Sequence, residues 1–591
     1  MTARLEAVLL DRRRDPADPL GPIATRQRVR RWLTLGTALV GLGDLSLAVL
    51  PPSHRHLTFL LQFVPLVVAQ GAAVLLALDG LVLLALSWGL RRGQRQAWAL
   101  SCVALAVATV LHLARGLDAF QAGLSLMLLV ALVALRGVFS APIDRRTTRS
   151  VALAAVGGLA AAIVLITASV EVFLAVDRDG SGSLPVHVVL VGVVEGMAGV
   201  QAFTPGIERF LSPTLLGVGL SLAVLAVLAV SRPLVDHRRC PGRHAQVAAR
   251  RLVSDHGGGT LDYFALRHDK WHYITGRTLV TYAVLNGVCL VSPDPIGPPE
   301  ERDGAWAAFC RFADSRGWTV AVLAAGSSWL GTYRRSGMHA LYVGDEAIVS
   351  VADFDLAGGH KKGLRQAVQR VRRHGYTVSF HDPRHLEPCL ESSVRELMDA
   401  SRRGHCERGF SMTLGRLLDP DDDGLLLAVA HGPDGTPVAF CQFVPAPSIA
   451  GYSLDVMRRD RGTHPNGLID FLLVSTIEHL RERGMAALSL NFAAMRAFVA
   501  GDRRGLVAKL VGQVLRRCCS SMQVESLWRF NAKFDPAWAA RHVVVSSVIH
   551  VPAVALAIAR AESLWEIPVL GRYLARSAQR TPAVGELDAA A

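Results

Sequence analysis

The chain has 591 residues, 51% of them hydrophobic and 19% charged, with 63 Lys and Arg against 49 Asp and Glu. That length exceeds one domain of about 100–200 residues, and a mean hydropathy of +0.32 argues against both an ordinary soluble enzyme and a transporter built only of membrane helices. The net charge of +14 favours anionic partners such as nucleic acid, lipid headgroups or acidic substrates, although a positive-inside bias alone accounts for part of it.

The N-terminal segment 1–31 is basic, with eight arginines before Trp32 and no cleavable signal peptide. Residues 32–232 read as a membrane domain. Six apolar stretches, about 33–50, 64–90, 97–114, 119–135, 150–175 and 213–231, are long enough to span. Arginines cluster before the first span and after the second, fourth and sixth, whereas the alternate loops hold only Arg55, Arg115, Arg178 and Arg209. This alternation places both termini and the C-terminal half in the cytoplasm. Asp44, Asp79 and Glu195 stand out as acids within or beside apolar segments. Each marks either a lipid or ion path, or a side chain buried against a neighbouring helix or near the interface.

From about 245 the composition changes to strand-like runs alternating with amphipathic helices, an α/β pattern. A first pass covers 245–378 and a second, similar one 379–575, with a disordered tail at 576–591. In the second pass "LLLAVAHGPDGTPVAFCQFVPA" reads as a hairpin turning at Asp434-Gly435. "GYSLDVM" follows as a strand, and "GLIDFLLVSTIEHLRERG" as a helix closed by Gly484. "HVVVSSVIHVPAVALAIAR" reads as a buried strand and then a helix lying against the membrane.

Between the passes, "GGHKKGLRQAVQRVRRHG" places Leu364, Ala367, Val368 and Val371 on one apolar stripe. Lys361, Lys362, Arg365, Arg370, Arg372 and Arg373 cluster away from it, with no acid across 360–375. Such a face suits phosphates of nucleic acid or lipid; the plainer reading is a solvated helix face. The nine cysteines form no C-x-x-C pair and suggest neither a metal site nor a disulfide framework. His381, His405 and His431 are scattered, with no nucleophilic arrangement evident.

The stretches "CLVSPDPIGPPEE", "KKGLRQAVQRVRRHG", "RGFSM", "YSLDVMRR", "NGLIDFLL", "LSLNFA" and "ESLWRFNAKFDPAWAARHVVV" resemble the multiple peptide resistance factor family, the aminoacyl-phosphatidylglycerol synthases. The wording is similar to the transferase part of forms fused to a lysyl-tRNA synthetase, and this chain carries no synthetase module. The resemblance implies a multi-span helical membrane domain joined to a cytoplasmic tandem GNAT-like acyltransferase at the bacterial plasma membrane. It implies transfer of an aminoacyl group, preferably lysyl, from aminoacyl-tRNA to phosphatidylglycerol. A separate synthetase would supply the donor, and no cofactor or metal is needed. The product would lower negative surface charge and give resistance to cationic antimicrobial peptides. Homo-oligomerisation and lipid flipping are left open.

The resemblance also implies roles. Asp455 would hold an amine of the aminoacyl group, and Arg458 a phosphate or the developing oxyanion. Ser411 would orient the substrate, and Lys533 would contact a phosphate or the terminal adenosine. Arg365, with Lys361, Lys362, Arg370 and Arg373, would meet tRNA or the lipid phosphate. Asp470 and Asn491 complete the substrate-binding set. A plain Asp–Arg ion pair is the simpler account of Asp455 and Arg458. Two other readings stand beside this one: a coenzyme A-dependent acyltransferase, and a non-catalytic lipid-binding or flipping protein. "RGTHPNG" resembles a pyrophosphate turn, but Pro465 removes a backbone N–H there.

Overall fold

In the computed structural model the residues described are 20–49, 66–116, 119–139, 141, 190–191, 243–402, 409–494 and 524–562. The chain divides into two units: Met1–Asp236 with Cys310–Thr319, and His237–Phe309 with Val320–Ala591.

In the first unit, four helices cover the first four predicted spans: α1 (Gly21–Val49), α2 (Leu66–Arg91), α3 (Arg95–Gly116) and α4 (Ala119–Ala134). Leu33, Val40, Leu83, Leu105, Leu128 and Leu132 form their shared core. Outward, Trp32, Leu39, Val103, Phe120 and Met127 stay more than half exposed, an apolar flank that water does not favour. Among the described residues, the stretch Arg95–Leu113 is long and apolar enough to cross a membrane, and Phe120–Ala134 is a shorter apolar helix. α1 and α2 meet at glycines: a Cβ on Gly41 would lie 2.7 Å from the Gly80 carbonyl oxygen. Beside that contact, fully buried Asp44 pairs with His112 of α3 at 2.8 Å. The last two predicted spans and Glu195 lie outside the described residues.

The second unit is built on one eleven-stranded sheet. Its strands are β1 (Trp271–Thr275), β2 (Thr278–Leu285), β3 (Val288–Val291), β4 (Thr319–Ala325), β5 (His339–Ser350), β6 (Thr377–His381), β7 (Leu426–His431), β8 (Pro437–Ala446), β9 (Gly451–Arg459), β10 (Ala487–Ala494) and β11 (Ala537–Val545). Their order is β1-β2-β3-β4-β11-β5-β10-β9-β8-β7-β6. The last strand therefore lies inside the first pass, antiparallel to both neighbours, with Val544 opposite Val322 on one side and Ala340 on the other. The two passes share a continuous sheet.

Helices α5 (Arg243–His256), α6 (Lys362–Arg373), α7 (Pro388–Arg402), α8 (Leu468–Glu482), α9 (Val524–Ala532) and α10 (Val551–Ala561) pack on it. The predicted stripe of α6 is buried through Leu364, Val368 and Val371, in one core with Leu468, Phe471, Leu472 and Ile477 of α8. α7 covers Leu427, Val429, Phe440 and Val456 with Val394, Leu397 and Met398. The hairpin turns through Gly435 at φ 80°, and Gly484 follows α8 at φ 70°, both conformations that glycine adopts without strain.

β9 and β10 pair parallel, matched at Gly451–Ala487, Tyr452–Leu488 and Ser453–Ser489. Gly451 is obligatory at its start, since a Cβ there would lie 1.7 Å from the Ala487 carbonyl oxygen. Gly451→Ala is expected to force the strands apart and to destabilise this unit by about 1–3 kcal/mol, as overpacking does. Denaturant unfolding followed by tryptophan fluorescence measures it; an unchanged midpoint would show that the ladder adjusts.

Candidate functional site

The ladder between β9 and β10 stops after Ser453 and Ser489 because both strands bulge just beyond. Leu454 and Val456 face consecutive residues Phe443 and Gln442 of β8, leaving Asp455 as the extra residue. On β10, Ser489 and Phe492 face Ile348 and Glu346 of β5, so one residue is again surplus. Asn491 lies there at φ 71°, a conformation asparagine tolerates better than most residues. Bulges re-aim side chains and end pairing; here two of them open the parallel β9–β10 pair at one level.

Asp455 is 4% exposed. Its Oδ1 accepts from the Leu414 backbone N–H at 2.8 Å and its Oδ2 from Gln442 Nε2 at 2.7 Å. Asn491 bridges the opening, donating through Nδ2 to the carbonyls of Leu454 and Met412. Behind it Ser489 Oγ donates to buried Glu346 at 2.5 Å, and Arg541 Nε donates to the same carboxylate at 3.0 Å. Arg458 lies opposite Phe440, further along β9 than the bulge, and its Nη1 donates to the Met457 carbonyl at 2.9 Å.

The segment 409–415 roofs the opening and is held at several points. Arg267 Nη1 donates to the Gly409 carbonyl at 3.0 Å and to Thr413 Oγ1 at 2.9 Å. Ser411 is buried, and both its N–H and its hydroxyl donate to Glu562 Oε1, at 3.1 and 2.6 Å. Its hydroxyl thus anchors the segment that presents the Leu414 N–H to Asp455.

The basic helix is less uniform than its sequence suggests. Lys361 is only 6% exposed and lies over the Phe354 ring at 4.9 Å. Half-buried Arg365 donates to the carbonyls of Leu356 and Gly358. The reason is local: the segment just before α6 folds back over its first turn, and its carbonyls need donors. Lys362, Arg370 and Arg373 are exposed. Arg372 pairs with Glu478 of α8 at 2.5 Å, so the acid missing from 360–375 comes from a neighbouring helix.

Lys533 and Asp470 meet, with Nζ 3.0 Å from Oδ2. Asp470 stands in the first turn of α8, where the helix dipole favours a carboxylate. α8 begins at Gly467, whose Cβ position lies 2.6 Å from the Ala367 Cβ of α6, so that N-terminus is closely packed.

One cluster escaped the sequence. His381 and His431 are not scattered: both lie 2.7 Å from Ser379 Oγ, and His431 Nδ1 faces the Gly435 carbonyl at 3.1 Å. Antiparallel pairing of β6 with β7 brings residues fifty apart together. His405 lies outside the described residues. Gln442 was also missed, though a lone polar residue inside "VAFCQFV" was a signal for it.

Lys270, just before β1, is fully buried. Its Nζ donates to the Phe264 carbonyl at 3.0 Å and lies 4.7 Å from the centre of the Phe410 ring. Burial pushes the amine down to about 7 from 10.5. In the unfolded chain the amine holds its proton up to the higher value, so between about pH 7 and 10 the unfolded state binds more protons and stability rises with pH. Thermal unfolding of the full chain is expected to show that rise, and Lys270→Met to flatten it while raising the midpoint at pH 7. An unchanged slope in the variant would assign the pH dependence elsewhere.

The family model described as phosphatidylglycerol lysyltransferase, C-terminal, matches residues 250–545. The lysylphosphatidylglycerol biosynthesis bifunctional protein LysX of Mycobacterium marinum is 34% identical over 462 residues, covering 76% of this chain and 41% of that protein. Its namesake in Mycobacterium tuberculosis is 38% identical over 336 residues, 56% of this chain and 28% of that one. The chain thus spans less than half the length of these relatives. A solved structure of L-PGS from Bacillus licheniformis is 22% identical, with a TM-score of 0.48 over 54% of this chain and 97% of that one. On the match through residues 250–545, which takes in both strand bulges and the basic helix, the chain belongs to the phosphatidylglycerol lysyltransferase C-terminal family.

Proposed function

We propose that this chain transfers an aminoacyl group, lysyl by preference, from aminoacyl-tRNA to a glycerol hydroxyl of phosphatidylglycerol. The observation that carries the reading is the opening between β9 and β10, with buried Asp455 at its bulge. The matched family and the exposed cations of α6 accompany it.

The chemistry is an ester exchange. The lipid hydroxyl oxygen bonds to the aminoacyl carbonyl carbon, the bond from that carbon to the ribose oxygen breaks, and the hydroxyl proton ends on the ribose oxygen. Such a reaction needs positioning and oxyanion stabilisation more than a covalent enzyme intermediate. In this reading Asp455 balances the donor's ammonium and Arg458 meets a phosphate or the oxyanion. Ser411 fixes the roof, Asn491 holds the strands open, and Lys533 with Asp470 borders the donor's path. One substrate is a soluble polyanion and the other stays in the bilayer, which gives reason for a six-span, cytoplasm-facing anchor and a separate synthetase as supplier. The lipid made would reduce negative surface charge and so resist cationic peptides. A coenzyme A pyrophosphate is disfavoured at α8, where Asp470 puts a carboxylate in the first turn.

The direct test is the purified full chain in phosphatidylglycerol vesicles, offered a set of labelled aminoacyl-tRNAs and labelled acetyl-coenzyme A. Label entering the lipid from lysyl-tRNA is expected; label only from acetyl-coenzyme A, or none, would overturn the reading.

Asp455→Asn keeps the shape, since Gln442 can turn its amide to present an oxygen. The expected result is a normal unfolding midpoint with transfer reduced at least about thirtyfold, roughly 2 kcal/mol. Normal transfer would put the site elsewhere, and a proportionate loss of folding would mark a structural carboxylate.

The α6 contact is tested with exposed residues only. Lys362→Glu, Arg370→Glu and Arg373→Glu together should weaken tRNA binding and lower its salt slope by roughly two to three. Unchanged binding removes the helix from donor recognition. Reporter fusions at Gly182 and Gly242 should fall on opposite sides of the membrane; the same side for both would break the six-span arrangement.

A further inference from the structure

The helix bundle of the first unit is apolar on its flank and polar within. Along α1, Thr34, Thr37 and Asp44 share one face, and all are buried. α3 adds Ser101 and His112, and α4 adds Ser125, each fully buried. A water-soluble bundle is built the other way round, with its polar side chains outward. Ionisable groups inside an apolar bundle are costly to hold and mark functional sites.

The ionisable groups gather at one crossing. Asp44 Oδ1 lies 2.8 Å from His112 Nε2, and both side chains are fully buried. Glycine brings a second carboxyl to the same place. A Cβ on Gly80 of α2 would lie 3.1 Å from the Asp44 Cβ. Asp79, its neighbour in the chain, therefore stands at that crossing, and it is only 9% exposed. The hydrogen bonding there is incomplete: Asp44 Oδ2, Asp79 Oδ2 and His112 Nδ1 are buried without a partner among the described residues. α4 brings no ionisable side chain; its Gln121 Oε1 lies 3.9 Å from where a Gly43 Cβ would stand. Arg30, at the far end of α1, is committed to Asp314 and to the Val138 carbonyl.

The charges at the crossing do not balance. One imidazole answers one carboxylate, and among the described residues no cation pairs with the other. Holding a buried charge unpaired is costly, and a proton removes that cost. Either carboxylate oxygen, or the imidazole nitrogen when it carries no hydrogen, has a lone pair for one. An anion would meet like charge. A hard cation such as calcium asks for about six to eight oxygens, whereas a proton asks for a single lone pair.

We propose that the crossing of α1 and α2 is a reversible proton-binding site, formed by Asp79 and the Asp44–His112 pair. A proton from water adds to a carboxylate or imidazole lone pair, and its release restores that lone pair; no other bond changes. Occupancy sets the charge held inside the bundle. The site is independent of the transferase reading, whose residues all lie in the second unit.

The test is infrared difference spectroscopy of the full chain in phosphatidylglycerol nanodiscs. Steps from about pH 4 to 9 cover the range in which buried carboxyls and imidazole titrate. The carbonyl band of a protonated carboxyl is expected to grow on acidification, to vanish on return, and to move with isotope-labelled aspartate. Asp79→Asn should remove that band. Asp79→Glu, the gentlest change to the packing, should leave a band that the aspartate label no longer moves. Asp44→Asn, which still offers His112 an acceptor, and His112→Gln should keep the band and shift its midpoint, since each alters the charge at the crossing. Circular dichroism identifies the variants that assemble, and those decide. No reversible carboxyl band in the wild-type chain overturns the proposal, as does a band of unchanged intensity, label response and midpoint in every assembled variant. Sodium or zinc chloride, compared with choline chloride at equal ionic strength, should leave the wild-type midpoint in place. A midpoint that falls as either cation is added gives the crossing to a metal ion and overturns the proton assignment.

Discussion

Three residue pairs of parallel ladder, and no more, join β9 to β10, and most of the site follows from where that ladder stops. A parallel pair normally continues until a strand ends. Here one extra residue in each strand, Asp455 and the left-handed Asn491, ends it early. The Asn491 amide replaces the missing backbone hydrogen bond by reaching the Leu454 carbonyl, so the gap is wedged open rather than merely unpaired. Everything else in the site is arranged about that gap: Gln442 on the strand before, Glu346 on the strand after, and the roof carrying the Leu414 N–H.

Much of the second unit was legible because its signals are local. The stripe through Leu364, Val368 and Val371, the Asp434-Gly435 hairpin and the glycine stop after α8 each need only a dozen neighbouring residues to declare themselves, and each forms as read. What could not be read is non-local. Nothing in "AWAARHVVV" says that β11 will enter the first pass, because any apolar strand can pair with many edges. The burial of Lys361 depends on Phe354, and the meeting of His381 with His431 depends on strand register. A period or a motif carries neither.

The candidate residues divide in the same way. Asp455 and Asn491 stand together at the opening, whereas Ser411 reaches it through the segment it anchors. Lys533 and Asp470 form their own pair at the start of α8. The exposed cations on α6 number fewer than the sequence offers, since Lys361 and Arg365 are committed to the fold. A dense run of positive charge thus divides: Arg365 closes carbonyls that would otherwise be stranded, and Lys362, Arg370 and Arg373 stay exposed.

The place of β11 has a consequence for how the molecule is made. The strand that completes the centre of the sheet is among the last described segments of the chain to leave the ribosome. Until then β4 and β5 each lack a neighbour, and two bare strand edges in the middle of a future sheet are the kind of surface that invites wrong pairing. The first pass cannot mature as an independent domain during synthesis. It must wait, near the site of translation, for a segment more than two hundred residues downstream.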